Sequence, residues 1–360
     1  MYKFNNFFKN KKVLITGHTG FKGSWLTLWL NLLGAKVIGI SKNLPTKPSH
    51  FDSLKLKKKI IDKRLDIRNF LKLYKIFTKY KPDIVFHLAA QSLVKKSYDS
   101  PLETFNSNSI GTLNLLECLR KINHKCISII ITSDKSYKNL EIKRGYNEND
   151  LLGGIDPYSS SKASAELIIK TYYDCFLKNK KNQRLAIARA GNVVGGGDWA
   201  ADRLIPDCIK SWSKKKKVII RNPYSTRPWQ HVLEALNGYL TLVLNLSKNL
   251  SLNGEPFNFG PEYSQNKSVI SLLKETKKNW KNVGWTINKN KNFYESKLLR
   301  LNSNKAKKKL GWKPVLNFEA SVKMIINWYK NYIYRKKSVY EFSKLQIEEY
   351  SNQILNKKKR

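Results

Sequence analysis

The first half of the chain alternates continuous apolar runs with stretches of helical period. The apolar runs predict strands at residues 12–16, 36–40, 60–66, 83–87, 126–132 and 184–189. Helical patterns lie between them, at residues 22–33, 69–80, 101–123 and 157–178. Strands that are apolar on both faces and separated by helices predict a parallel sheet covered on both sides. With right-handed crossovers, this order predicts an α/β fold with a doubly wound parallel (Rossmann) sheet.

The second half of the chain has a different pattern. After Arg189 the sequence is rich in Gly, Pro, Trp and Asn, its elements are shorter, and a helical tail lies near residues 322–334. No internal repeat is visible in the sequence. This half predicts a smaller C-terminal lobe, which we expect to bind the substrate.

The charge of the chain allows two interpretations. The 360 residues contain 68 Lys and Arg against 26 Asp and Glu, a formal net charge of +42. Such a balance is typical of nucleic-acid-binding proteins, or of a lysine- and asparagine-rich proteome that spreads lysines over solvated faces. The lysine runs at 55–59, 214–217, 305–309 and 357–360 do not alternate with aromatic residues, which favours the second interpretation. We therefore expect no specific nucleic-acid partner, although the field favours anionic ligands such as nucleotides.

Several protein classes are excluded by the sequence. No apolar run approaches the roughly 18–20 residues that span a bilayer, and the N-terminal segment lacks the apolar core of a secretory signal. We expect a cytoplasmic protein that does not bind membranes. The four cysteines, Cys118, Cys126, Cys175 and Cys208, are far apart and have no histidine at ligand spacing. We expect reduced thiols in the core, with no disulfide and no metal site.

A glycine-rich loop joins the first strand to the first helix. Its sequence is Gly17-His18-Thr19-Gly20-Phe21-Lys22-Gly23, with one residue more between the first two glycines than in the GxGxxG form. Glycines let the backbone turn tightly and let a pyrophosphate approach the amides of the helix N-terminus. We therefore predict that a dinucleotide binds at Gly17, Thr19, Gly20, Phe21, Lys22 and Gly23.

The second strand lacks the acidic residue that usually holds the adenosine ribose. It ends in Ile40-Ser41-Lys42-Asn43, without a carboxylate. Lys42 would suit the 2′-phosphate of NADP, or it is one more solvent-exposed lysine, and the spacing leaves this open. Asp66 and Ile67, after the third strand, are placed to bind the adenine amino group.

Tyr158 and Lys162 form a candidate catalytic pair. They are four residues apart on a predicted helix, so both side chains project from one face. An ammonium beside a phenol favours the phenolate and lowers the phenol pKa from about 10. Such a tyrosine can take a proton from a sugar hydroxyl while hydride leaves for a nicotinamide. Ser133, at the end of an earlier strand and followed by Asp134 and Lys135, can hydrogen-bond the reacting hydroxyl.

Five stretches of the chain carry a resemblance to a known family. They are GHTGFKGSWL (17–26), HLAAQSLV (87–94), TSDKSY (132–137), ARAGNVVGGGDWAADRLIPD (188–207) and RPWQHVLEAL (227–236). Over essentially its whole length the chain resembles the extended short-chain dehydrogenase/reductase family (NAD-dependent epimerase/dehydratase) of nucleotide-sugar enzymes. Within that family it resembles the branch of CDP-glucose 4,6-dehydratases. The dTDP-glucose branch carries Asp-Glu where this chain has Asp134-Lys135, and epimerases lack that acidic pair.

The resemblance implies a reaction that is redox-neutral overall, with NAD as a cofactor recycled in every turnover. Tyr158 would remove the proton of the sugar 4-hydroxyl as C4 is oxidised, with Lys162 as its partner. Asp134 would protonate the departing 6-hydroxyl. Lys135 would take the C5 proton, which requires its unprotonated form. The product would be a 4-keto-6-deoxy sugar nucleotide, on the route to a deoxysugar of a surface polysaccharide such as lipopolysaccharide O-antigen.

The resemblance also assigns binding residues and domains. The cofactor would contact Leu88, Ala89 and Ala90 besides the glycine loop, Tyr158 and Lys162, and the CDP-glucose substrate would contact Gln91, Ser133, Asn192, Arg203 and Arg227. Either arginine could instead form a surface or interdomain ion pair. Residues 1–190 would form the NAD-binding domain, to which 231–260 return, and 191–360 would mainly form the substrate lobe.

The resemblance further implies a homodimer, formed through the predicted helices at 101–123 and 157–178. Two alternatives remain from the sequence alone. One is a nucleotide-sugar epimerase or reductase of the same fold, and the other is a Rossmann-like nucleic-acid-binding or regulatory protein.

Overall fold

The computed structural model describes residues 4, 6–281, 283–288 and 299–359. Its strands are β1 Lys12–Thr16, β2 Lys36–Ser41, β3 Ile61–Arg64, β4 Ile84–His87, β5 Cys126–Ile131, β6 Gln183–Arg189, β7 Val193–Val194, β8 Val218–Ile220, β9 Thr226–Pro228, β10 Gln230–His231, β11 Pro256–Asn258, β12 Asn266–Ser268 and β13 Trp285–Ile287. Within the described residues, seven strands form one sheet in the order β3-β2-β1-β4-β5-β6-β11. Every neighbouring pair in this sheet is parallel.

Helices follow the strands along the chain. They are α1 Phe21–Leu32, α2 His50–Ser53, α3 Phe70–Tyr80, α4 Val94–Asp99, α5 Pro101–Phe105, α6 Gly111–Lys121, α7 Pro157–Tyr172, α8 Leu204–Ser213, α9 Val232–Leu246, α10 Val269–Asn279, α11 Asn304–Leu310, α12 Phe318–Tyr334 and α13 Val339–Lys359. Alternate residues of β1 enter two separate cores. Val13 packs in the core that contains α1 and α9, and Leu14 in the core that contains α3, α6 and α7. Both faces of the sheet are covered, and the predicted doubly wound α/β fold is confirmed.

The two long helices predicted at 101–123 and 157–178 are both interrupted. A π-helical segment at Asn106–Ile110 separates α5 from α6, and another at Tyr173–Leu177 follows α7. In the first segment, Asn108 donates to the Ser161 hydroxyl at 2.9 Å and Ser109 to the Ser161 carbonyl at 3.1 Å. The polar Asn-Ser-Asn-Ser stretch is therefore bound to α7, a contact that the hydrophobic pattern does not show.

The second half of the chain builds small units around the carboxyl edge of the sheet. β7 pairs with β10 and β8 with β13 in parallel, and β9 pairs with β12 in antiparallel fashion. β11 joins the main sheet beside β6, with Phe257 opposite Ala188. The sequence analysis did not predict α13, which packs against α1 and α12. Its Tyr350 ring meets Trp29 of α1 edge to face at 5.9 Å between centroids.

The cysteines differ in one respect from the expectation of four core thiols. Cys118, Cys126 and Cys208 are buried, whereas Cys175 is exposed because it lies in the π-helical segment after α7. Among the described residues, no helix combines the length and the apolar character that crossing a bilayer requires.

A buried carboxylate connects α9 to the C-terminal elements. One oxygen of Glu234 accepts the backbone N–H groups of Val315 and Leu316, each at 2.6 Å, and the other accepts the Tyr350 hydroxyl at 2.7 Å. Burial raises the pKa of Glu234 to about 7, although the three donors favour the carboxylate. Between the pKa of an unfolded glutamate and this value, the folded protein therefore holds a proton that the unfolded chain releases.

We predict that Glu234→Gln changes how stability depends on pH. Because its pKa is raised in the folded state, Glu234 contributes stability to the wild-type fold at low pH. That contribution is lost as the pH rises through about 7. Glutamine keeps an acceptor oxygen but cannot ionise. The free energy of unfolding of the variant, minus that of the wild type, should therefore increase by on the order of 1–3 kcal/mol between about pH 5 and pH 8. Urea unfolding at several pH values measures this, with Glu341→Gln on the exposed face of α13 as control. A difference that stays constant with pH contradicts the prediction.

Candidate active site

The glycine loop between β1 and α1 is packed too tightly for side chains at two of its positions. Gly17 has φ +76°, and a Cβ there would lie 2.7 Å from the Ala89 nitrogen. A Cβ at Gly23 would lie 2.1 Å from the Gly17 carbonyl oxygen. Gly20, the N-cap of α1, has no side chain with which to cap the first turn, so those N–H groups face the loop. Such a cradle fits the pyrophosphate of a dinucleotide.

The other side chains of this loop point to different neighbours. The Thr19 hydroxyl donates to the Asn43 carbonyl at 2.7 Å, which ties the loop to the chain after β2. The Phe21 ring packs against Gly195, because a Cβ on that glycine would lie 3.0 Å from the ring. Lys22 reaches the catalytic side chains described below. Burial and the positive charges of Lys162 and Arg203 lower the pKa of Lys22 to about 8.

The segment after β4, which contains Leu88 to Ala90, lies against the glycine loop. The Leu88 amide donates to the Thr16 carbonyl at 3.0 Å, and the Ala89 amide to the Thr16 hydroxyl at 3.2 Å. Beneath them, the His87 ring bonds to the hydroxyls of Thr16 at 2.7 Å and Thr112 at 3.1 Å. Burial lowers the pKa of His87 to about 3, so this ring is neutral and structural.

Asp66, the residue predicted for the adenine group, is already engaged within the chain. Arg68 donates from Nε at 3.0 Å and from Nη2 at 2.6 Å, and these bonds hold the pKa of Asp66 below its usual value. The Lys42 ammonium is 3.6 Å from the same carboxylate. Ile67 is buried, and its Cδ1 atom would be 2.5 Å from a Cβ on Gly111. Any adenine contact must therefore share Asp66 with Arg68.

Helix α7 places the tyrosine–lysine pair on a well-capped first turn. Asp156 is the N-cap and accepts from the Ser159 amide at 2.9 Å and its hydroxyl at 2.5 Å, and Pro157 begins the helix. These residues favour a helix start immediately before Tyr158. Tyr158 and Lys162 are 8% and 7% exposed, so both catalytic candidates lie in a nearly dry site.

The pKa of Tyr158 is not lowered, contrary to the expectation from the sequence. Burial raises it above 10 and Asp134 adds to that effect, whereas a hydrogen bond with Ser133 and the charge of Arg203 oppose it. Lys162 instead donates to the Ile131 carbonyl at 3.3 Å, and burial lowers the pKa of its ammonium to about 8. Loss of solvation therefore outweighs the stabilising charges at the phenol.

The end of β5 brings Ser133 and Asp134 to the same site. The Ser133 hydroxyl donates to Asp134 at 2.9 Å and accepts from the Lys135 amide at 3.2 Å, within a 3₁₀ turn at Asp134–Ser136. The Asp134 carboxylate occupies space that only a glycine leaves open, because a Cβ on Gly191 would be 1.8 Å from it. Sequence reasoning missed Gly191. Its signal is its position just after β6, whose carboxyl end lies beside that of β5.

Arg203 is the predicted substrate residue that joins the catalytic cluster. It donates to the buried Asp198 at 2.8 Å and to the Ser92 hydroxyl at 3.4 Å. Its charge acts on both Tyr158 and Lys22. Sequence reasoning missed Asp198, which holds this guanidinium towards the site.

The other predicted substrate residues are Asn192, Gln91 and Arg227. Asn192 follows Gly191 with φ +48°, a conformation that asparagine tolerates. Gln91 turns its amide inward and donates to the Leu93 carbonyl and the Thr104 hydroxyl, each at 3.0 Å. Arg227 is on β9 and donates to the Thr226 carbonyl at 2.8 Å. The described geometry thus unites Ser133 and Arg203 but does not turn the Gln91 amide towards the site.

The chain is similar to known sugar-nucleotide enzymes. Residues 14–325 match the profile of a family described as GDP-mannose 4,6 dehydratase. The chain is 42% identical to the CDP-glucose 4,6-dehydratase of Salmonella typhimurium, over 96% of this chain and 97% of that protein. It is 30% identical to the CDP-paratose 2-epimerase of Salmonella typhi, over 73% of this chain and 82% of that protein.

Solved structures share the fold. A UDP-glucuronic acid 4-epimerase from Bacillus cereus, in complex with UDP-glucuronic acid and NAD, matches with a TM-score of 0.76 and 24% identity, over 89% of this chain and 99% of that one. A dTDP-glucose 4,6-dehydratase from Bacillus anthracis, in complex with NAD, matches with a TM-score of 0.73 and 22% identity, over 89% and 97%.

We predict that Gly23→Ala weakens NAD binding at least about tenfold, or about 1.4 kcal/mol. The new methyl group would overlap the Gly17 carbonyl and distort the loop that must approach the pyrophosphate. Isothermal titration with NAD measures the effect. Gly284→Ala is the control, because its Cβ would meet only the flexible side chain of Lys217 at 3.2 Å. Equal affinity in the Gly23 variant and the unsubstituted protein would show that the loop does not hold the cofactor.

Proposed function

This chain belongs to the GDP-mannose 4,6 dehydratase family, and we propose on that basis that it is a hydro-lyase that converts CDP-glucose to CDP-4-dehydro-6-deoxyglucose and water. The observation that carries the proposal is the convergence of Ser133 and Asp134 with Tyr158 and Lys162 in one buried site. These residues supply the base for oxidation at C4 and the acid for elimination across C5 and C6, and Lys135, next in the chain to Asp134, is the proposed base for C5. The near full-length likeness to a CDP-glucose 4,6-dehydratase supports the choice of sugar nucleotide.

NAD is the cofactor of this proposal. When bound, it supplies the acceptor for the C4 hydride and the donor that returns it to C6, so that no external oxidant is needed. The tight glycine cradle and the uncapped first turn of α1 support a pyrophosphate site there. The residues that would hold NAD are Gly17, Thr19, Gly20, Phe21, Lys22, Gly23, Asp66, Ile67, Leu88, Ala89, Ala90, Tyr158 and Lys162.

Tyr158 takes the proton of the sugar 4-hydroxyl in the first half of the reaction. Its high pKa makes the phenolate a strong base once it is formed. Ser133 contacts the phenol and can pass the proton from the substrate hydroxyl. Arg203 supplies a positive charge that favours the phenolate, and Lys162, held by the Ile131 carbonyl, is proposed to add to it.

Asp134 and Lys135 carry out the elimination. Asp134, in its acid form, protonates the departing 6-hydroxyl. Its carboxyl group is held by the Ser133 hydroxyl and by close packing against Gly191, which has no side chain. Lys135, in its amine form, takes the C5 proton that the 4-ketone has acidified. The two groups are adjacent in one short turn, which suits loss of a proton and a hydroxyl from neighbouring carbons.

Substrate recognition rests on charge in this proposal. Arg203, positioned by Asp198, holds the diphosphate near the catalytic cluster with Asn192, and Arg227 binds further along the nucleotide. A planar guanidinium suits phosphate oxygens. A sugar nucleotide, rather than a nucleic acid, is then the anionic partner.

The proposal extends to organisation and place in the cell. Residues 1–190 form the NAD-binding domain, 231–260 return to its fold without contacting NAD at Glu234, and the rest of 191–360 mainly forms the substrate lobe. The enzyme is a cytoplasmic homodimer whose product is used for deoxysugars of surface polysaccharide such as lipopolysaccharide. Large exposed apolar side chains on the α5–α7 segment and on the π-helical segment after it support the proposed dimer interface: Leu102, Ile110, Leu167 and Phe176.

We predict that the purified protein removes one water from CDP-glucose, because in this proposal Asp134 and Lys135 supply the acid and the base of the elimination. Mass spectrometry of the nucleotide product measures the loss directly. UDP-glucose and dTDP-glucose are the comparison substrates, and they should react at least about tenfold more slowly. Conversion to an isomer of unchanged mass would favour an epimerase instead.

We predict that Tyr158→Phe and Lys135→Met stop the reaction at different stages. Tyr158→Phe removes the base for the 4-hydroxyl, so C4 is not oxidised. Lys135→Met leaves that step intact but removes the base for C5, so a 4-keto sugar forms without loss of water. Each variant should lose about 10²–10⁴-fold in dehydration rate. Quenching with borodeuteride should label C4 of the recovered hexose for Lys135→Met only. Normal turnover, or no label, in the Lys135 variant means that this lysine has another role.

A further inference from the structure

A buried carboxylate lies one helical turn beyond Lys162 on α7. Glu166 is 2% exposed, and it accepts the Thr132 hydroxyl at 2.7 Å. Arg189, 3% exposed, donates to it from Nε at 2.9 Å to each oxygen and also from Nη2. Both oxygens of the carboxylate thus accept hydrogen bonds from protein donors.

The three residues of this cluster belong to the three segments that carry the catalytic candidates. Glu166 is on the helix of Tyr158 and Lys162. Thr132 ends the β5 segment and immediately precedes Ser133. Arg189 ends β6, just ahead of the Gly191 that accommodates Asp134. One carboxylate therefore connects the catalytic helix to both strand ends.

The far side of Arg189 is also fixed. Its Nη1 donates to the Tyr137 hydroxyl at 2.5 Å and to the Glu148 carbonyl at 3.3 Å. Tyr137 in turn donates to Asn258 of β11 at 2.9 Å. The guanidinium that Glu166 holds is thus braced against the chain that follows Lys135, so movement at Glu166 would reach both ends of the Asp134–Ser136 turn.

We propose that Glu166 is a positioning residue of the dehydration. It holds Ser133 and the Asp134–Ser136 turn in alignment with Tyr158 and Lys162 on α7. This rests on the proposed function. The carboxylate touches no reacting atom and acts through Thr132 and Arg189. Catalysis depends on alignment of the reacting groups to within about an ångström. Because Glu166 connects the segments that carry the base Tyr158 and the acid Asp134, its loss should affect kcat more than substrate affinity.

The charge of Glu166 has a second effect on the same site. Burial lowers the pKa of Lys162, and the negative charge of Glu166 opposes that lowering. The other groups that face Lys162 are Lys22 from α1, whose positive charge repels it, and His87 at the end of β4, which is neutral. Tyr158 lies one turn before Lys162 on the same helix. Without Glu166, Lys162 should lose its proton at lower pH.

The test uses two variants and one control, assayed for CDP-glucose dehydration over a range of pH. Thr132→Val removes only the hydroxyl donor and keeps the buried ion pair and the side-chain shape. Glu166→Gln removes the charge. Glu234→Gln is the control, because it makes the same change at an equally buried carboxylate that contacts α13 and not the catalytic segments. Thermal unfolding of each protein accompanies the kinetics.

We expect Thr132→Val to lower kcat about 3–10-fold with KM and the pH profile nearly unchanged. We expect Glu166→Gln to lower kcat about 10–100-fold and to shift the alkaline limb of kcat down by about half to one pH unit. Glu234→Gln should keep the wild-type kcat and pH profile.

A wild-type kcat in Thr132→Val overturns the positioning role. The role is also overturned if Glu166→Gln folds and the alkaline limb of its kcat–pH profile stays where it is in the wild type. If Glu166→Gln does not fold, the Thr132 variant decides. Absence of dehydration by the unsubstituted protein overturns the proposed function itself.

Discussion

The parallel pairing of β1, β4, β5 and β6 is the constraint on which the site depends. Parallel strands end at the same edge of a sheet, so segments far apart in sequence meet there. The glycine loop after β1, the Ser133 turn after β5 and the Gly191 segment after β6 are neighbours for this reason alone. A slip in register by one residue would reverse the side chains that face each core and separate these groups.

The site concentrates positive charge in a nearly dry volume. Lys22 lies near both Lys162 and Arg203, with Asp134 close to it and Asp198 bonded to Arg203. Unpaired buried cations are costly, which the lowered pKa values of the two lysines reflect. An anionic cofactor and a diphosphate substrate would restore the balance. The surface lysines are not needed for this, because the cations that matter are inside.

Local patterns carried most of the fold and only part of the site. β1 could be predicted at 12–16 because its apolar run is continuous and a glycine loop follows it. Tyr158 and Lys162 could be predicted because helical spacing places them on one face. Gly191 could not be recognised, since its role appears only when the Asp134 carboxylate lies against its Cα. The pairing of Glu166 with Arg189 is likewise set by the meeting of α7 with β6, and neither residue has a local motif.

The packing of α13 on α1 bears on how the chain acquires its structure during synthesis. Trp29 is fully buried, and Tyr350, whose ring packs against it, is synthesised more than 300 residues later. Until then the Trp29 ring lacks the aromatic partner that α13 supplies, and apolar surface left exposed in this way is the kind that chaperones bind and that promotes aggregation. The glycine loop is therefore synthesised long before the helix that follows it has all of its packing partners.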